Sequence, residues 1–68
     1  MSNKSTEAQR RFIDSLARGR TMSELETLLA PAFAINSNAF DVYSTLNQNT
    51  VRLTKDAASR CIDILKAA

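Results

Sequence analysis

Sixty-eight residues, 44% of them apolar, make one small domain: too apolar for a disordered tail and too short for a second core. The chain has no histidine, one cysteine and one glycine. That excludes a serine–histidine or cysteine–histidine pair, an intrachain disulfide, a zinc site of the usual donors and a glycine-rich phosphate loop. The net charge of +2 conceals a segregation, because residues 1–20 carry +3, 21–51 carry −3 and 52–68 carry +2, with no lysine or arginine between Arg20 and Arg52.

A single glycine and a single proline leave little punctuation, which favours helices over many short strands. Residues 1–5 are polar and read as a flexible lead-in. Thr6 and Gln9 have the spacing of a capping box, and Ala8, Phe12, Ile13, Leu16 and Ala17 follow at helical period, predicting a first helix over about 7–18. Gly19, just after Arg18, stands where a helix C-terminal cap belongs. Thr21 and Glu24 form a second capping box ahead of Met22, Leu25, Leu28 and Leu29. Pro31 is expected to end that helix near Ala30, giving a short second helix over about 22–30.

Phe33 and Ile35 are anchors for an extension over 31–37. Asn36 or Ser37 is placed to cap a third helix over about 38–47, with Ala39, Phe40, Tyr43 and Leu46 on its apolar side. Residues 47–50 read as a polar turn. Thr54 caps a fourth helix over about 55–67, whose inner stripe is Ala57, Ala58, Cys61, Ile62 and Leu65. The expected architecture is all-α: a single helical domain over 1–68, a small bundle of three to four short helices with the first and fourth packed together, antiparallel or crossed. Phe12, Ile13, Leu16, Leu25, Leu28, Leu29, Ile62 and Leu65 are its expected core.

The end helices carry two motifs. The first is Thr-x-x-Gln-x-x-Phe-Ile-x-x-Leu, formed by Thr6, Gln9, Phe12, Ile13 and Leu16. The second is Leu-Thr-Lys-x-x-Ala-Ser-x-x-Ile-x-x-Leu, formed by Leu53, Thr54, Lys55, Ala58, Ser59, Ile62 and Leu65. Together they resemble small helical modules of phage and bacterial proteins, often appended to DNA-processing proteins, and they cover under half of the chain. The resemblance implies a non-enzymatic helical module with no catalytic motif. It departs in the middle, where a short extended loop is usual and this chain has 36 residues between Leu16 and Leu53.

No residues converge as a catalytic set. Glu24 and Glu26 are two apart and point to different helix faces, and Cys61 falls on an apolar stripe as a small buried hydrophobe. No cofactor, metal or small-molecule substrate is implied. The longest uncharged stretch, Thr27–Phe40, is 14 residues, short of the roughly 20 that span a bilayer, and the first twelve residues hold no apolar signal core. A cytoplasmic protein without membrane contact is the expectation.

Two sets of binding residues remain. Lys4, Arg10, Arg11, Arg18 and Arg20, joined by Arg52 and Lys55, are candidates for gripping nucleic acid, against the plainer reading of a solvated face with Asp14 paired to Arg18. Phe33, Phe40, Val42 and Tyr43 are candidates for an outward aromatic patch that meets a protein or a second copy of the chain. A helix-turn-helix reader is disfavoured, since the candidate reading helix, Asn38–Gln48, has no lysine or arginine. The expected function is a non-enzymatic binding module, phage- or mobile-element-related, that contacts nucleic acid through its basic end helices and protein through its middle. The alternative is a protein–protein effector or inhibitor without nucleic-acid binding.

Overall fold

The computed structural model describes residues 3–35 and 38–68. Among them the chain forms α1 (Glu7–Leu16), α2 (Met22–Ala34), α3 (Leu46–Thr50) and α4 (Lys55–Ala67), in an all-α arrangement without a strand beyond one isolated bridge. Each helix starts on a threonine. Thr6, Thr21, Thr45 and Thr54 all have extended backbone angles, and the hydroxyl of each accepts the N–H of the residue three positions on. In the first three that partner is Gln9, Glu24 or Gln48, whose side chain accepts the threonine's own N–H in return. Orphan donors of the first turn are thereby satisfied without help from the core.

α4 is the hub. α1 packs along it and α2 packs beside it, while α3 leans on α1. Ala57, Ala58, Cys61 and Leu65 of α4 are buried against Ile13 and Ala17 from the α1 end and Leu25, Leu29, Ala32 and Phe33 from α2, with Leu53 and Phe40 closing the core. Small residues at 57 and 58 let neighbouring backbones come close, which a short chain needs to reach native packing density. The accessible surface is 4360 Å², against about 4,200 Å² for a compact monomer of this mass.

The terminal helices pack together, but not antiparallel. Residues 3–5 pair antiparallel with 53–55: the Ser5 N–H donates to Leu53 O at 2.9 Å, the Lys55 N–H donates to Asn3 O at 2.6 Å, and Lys4 faces Thr54. α1 and α4 therefore leave from one point with their N-terminal ends together. Residues 3–5 are part of the fold rather than a loose lead-in, and Ser5 is buried, its hydroxyl donating to Thr50 O at 2.8 Å.

Other expectations need correcting. α1 ends at Leu16, two residues early; Gly19 then takes the left-handed angle, φ +88°, and the Arg20 N–H closes the turn on Ala17 O. α2 does not stop at Pro31 but runs through it to Ala34. Pro31 is exposed, as are Thr27 and Ala30, so the Thr27 carbonyl that loses its helical donor still meets water, while Ala32 and Phe33 just beyond are buried and hold the last turn in place. The third helix is not 38–47. The described residues 38–44 are loop and turn, and Asn36 and Ser37, its expected caps, lie outside the described residues. α3 begins instead on the capping box Thr45–Gln48 and takes in the segment expected to be a polar turn, with Asn49 and Thr50 fully buried. Phe12, placed in the core from its spacing, is 45% exposed, and Ile35 is 54% exposed.

Replacing Pro31 by Ala restores a helical hydrogen bond at a solvent-facing position. It should raise stability by about 2 kcal/mol, the helix gain less the loss of proline's restraint on the unfolded chain. Thermal unfolding followed by circular dichroism checks this, and an unchanged or lowered Tm would show that the helix end is already relaxed around the ring.

Candidate nucleic-acid interface

The pairing of 3–5 with 53–55 decides where the cations lie. It puts Lys4 beside Thr54 and Lys55, and Gln9, already holding the α1 cap, donates from Nε2 to Lys55 O at 3.3 Å. Arg10 belongs to the same end, half-buried, with Nη1 donating to Ser5 O at 2.6 Å and to Ser5 Oγ at 3.3 Å. Arg52 lies one residue ahead of the paired stretch, exposed, with Nη2 on Asn49 Oδ1 at 2.9 Å. Lys4, Arg10, Arg52 and Lys55 are thus gathered where α1 and α4 begin, and Glu7, Asp41 and Asp56 belong to the same end.

The remaining candidates are elsewhere. Arg18 and Arg20 follow the C-terminal end of α1, about 15 Å of helix away. Arg11 lies between, in an exposed ion pair with Glu7 at 2.9 Å, one turn apart. This pair forms where Asp14–Arg18 was expected; among the described residues the latter is not joined. The outer face of α1 alternates Glu7, Arg11 and Asp14 and is close to neutral, and α4 interleaves Asp56 and Asp63 with Lys55, Arg60 and Lys66. A continuous basic stripe is not present. Glu24 and Glu26 are exposed on α2, the Glu24 carboxylate accepting the Thr21 N–H at 2.9 Å.

The aromatic candidates divide. Phe33 and Phe40 are core residues in an edge-to-face pair, ring centres 5.3 Å apart at 70°, and Val42 is half-buried against the core. Burying both rings satisfies a core that α1 leaves short by turning Phe12 outward. Only Tyr43 faces solvent, at 96% exposure.

Its loop is fixed in place by Asn49, which sequence pattern alone read as part of a polar turn. The Asn49 side chain is fully buried and fully bonded: Oδ1 accepts from the Asp41 N–H at 2.7 Å and from Arg52, and Nδ2 donates to Asp41 O and Thr45 O, each at 2.9 Å. Asp41 Oδ1 accepts the Tyr43 N–H at 2.9 Å, and Ser44 Oγ donates to Asp41 Oδ2 at 2.8 Å. The Tyr43 N–H, then the Ser44 hydroxyl, and more weakly the Arg52 charge hold the Asp41 carboxyl below its ordinary range. Asn38 Nδ2 ties the front of the loop to Arg52 O at 3.2 Å.

Among the described residues no cavity opens in the surface and no group of acidic residues and cysteine converges as a metal site. No helix there is long and apolar enough to cross a membrane. Burial pushes the Cys61 thiol up to about 12. No protein-family model matches this chain, and neither a curated protein nor a solved structure matches it.

Two outcomes follow. Asn49→Ala leaves the half-buried Asp41 N–H and the Asp41 and Thr45 carbonyls without their amide partner and should cost roughly 2–3 kcal/mol, measured by urea unfolding; a loss below about 1 kcal/mol would mean that water replaces the amide. For Cys61, the folded state keeps a proton that the unfolded thiol releases near its ordinary value of 9.0, so stability is whole below that pH and falls as pH rises from 9 toward 12. Cys61→Ala should remove that part of the slope, and the native thiol should react with a disulfide reagent at about pH 8 only after urea is added.

Proposed function

We propose a non-enzymatic binding module that holds nucleic acid at the common start of α1 and α4, of the phage or mobile-element kind that the resemblance of its end helices implies. The observation that carries this reading is the pairing of 3–5 with 53–55, which sets Lys4 opposite Thr54, the neighbour of Lys55, although they are far apart in sequence. Phosphate contacts from clustered lysine and arginine supply sequence-independent affinity, and lysines on a hydrogen-bonded backbone meet that need. The charge of the two chain ends supports it: +3 and +2 by sequence, they pack together through α1 and α4. A share for the middle in protein contact rests on less than its sequence implied, since Phe33 and Phe40 are taken up by the core. The competing reading, a protein effector without nucleic-acid binding, draws on Tyr43.

Anisotropy of a labelled oligonucleotide tests the proposal. Binding at about 50 mM salt should weaken steeply as salt rises. Lys4→Ala with Lys55→Ala should flatten the slope of log affinity against log salt by roughly 1.4–1.8. Arg18→Ala, at the far end, should leave it nearly unchanged. No binding to single or double strands at about 50 mM salt would falsify this function and favour the effector.

A further inference from the structure

Tyr43 is the most exposed large hydrophobic side chain among the described residues, and its backbone N–H is held by the Asp41 carboxylate. A run of hydrogen bonds leads from it through the Asp41 carboxylate and backbone to the buried Asn49 amide and on to the Arg52 guanidinium. From Arg52 the backbone passes in two residues to Thr54, opposite Lys4, and then to Lys55. The fold therefore sets one open aromatic ring on a loop tied to Arg52, with Lys55 three residues further along the chain and Lys4 across from Thr54.

We propose that this end of the molecule takes single-stranded nucleic acid, with a base stacked on the Tyr43 ring and the adjoining phosphates on Arg52, Lys55 and Lys4. The inference rests on the function proposed above and names its ligand more narrowly. Stacking requires a base face that is uncovered, which a duplex interior does not offer. Among the described residues no helix carries an unbroken run of cations for the major groove, which leaves little to read in a duplex. A rigid ring loses little freedom on binding, so the fixed loop adds to affinity. The nearest carboxylate, Asp41, has both oxygens engaged and faces Arg52, which lessens its repulsion of phosphate. Glu7 is paired with Arg11, and Asp56 remains exposed beside Lys55 as a brake on affinity.

Tyr43 is the sole tyrosine, so its ring-proton NMR signals report on this position alone. The experiment titrates the full chain with an oligothymidine of about 15 nucleotides and with a duplex of equal length, reading those signals alongside anisotropy of the labelled strand. The expected result is an upfield shift of the Tyr43 ring with the single strand only. Tyr43→Ala should weaken binding by about 5- to 100-fold, with Tyr43→Phe close to the parent, since the ring and not the hydroxyl stacks. Circular dichroism of Tyr43→Ala should match the parent, as an outward side chain supports no packing. If the strand binds while the ring signals stay in place and Tyr43→Ala binds equally well, the stacking proposal is overturned and the cationic site stands. If the duplex shifts the ring as much, single-strand selectivity is overturned. If neither nucleic acid binds at about 50 mM salt, both proposals fall.

Discussion

The fold depends on the short antiparallel contact between 3–5 and 53–55. Two backbone hydrogen bonds close a loop of nearly the whole chain and place the caps of α1 and α4 side by side. Both helices leave that junction with their registers set, so Ile13 and Ala17 meet the small residues of α4 without any turn linking the helices directly. The Gln9 amide reinforces it by serving both helices, its oxygen on the Thr6 N–H and its nitrogen on Lys55 O. Such a contact brings order at a high entropic cost, since loop closure must be met before the core rewards it.

A polar seam underlies this junction. Ser5, Asn49 and Thr50 are all buried, and each finds partners across elements: Ser5 to Thr50 O and Leu53 O, Arg10 to Ser5, Asn49 to Asp41, Thr45 and Arg52. Buried polar groups left unpaired would cost more than they return, but paired in this way they select one geometry among several apolar alternatives. The seam runs from the N-terminal segment through α3 to the loop that carries Tyr43, so the junction and the loop are mechanically one unit.

Much of the fold was legible in local chemistry. Thr6, Thr21 and Thr54 declared three helix starts, because a capping threonine acts within four residues and needs no tertiary help. Thr45 and Gln48 have the same spacing, but the apolar periodicity of Phe40, Tyr43 and Leu46 suggested a helix running across them and masked that start. Pro31 misled in the opposite direction, since burial of Phe33 outweighed its local preference. Phe12 and Phe40 exchange their expected places, inside for outside, because which of several apolar residues fills a small core is settled by packing and not by spacing. At the candidate interface the identity of the cations was legible and their grouping was not. Lys4 comes to lie opposite Thr54, beside Lys55 in the chain, through a pairing about fifty residues apart in sequence, and Asn49 became visible as the keeper of Tyr43 only with its partners in view.

The position of the hub helix governs the order of events during synthesis. Of the four helices α4 leaves the ribosome after the others, yet it is the one against which α1 and α2 bury their apolar sides. Until it emerges, the preceding helices have caps but little to pack on, and short helices without packing are marginal in water. Assembly of this domain therefore waits for α4, and until then its earlier segments are open to chaperones and proteases.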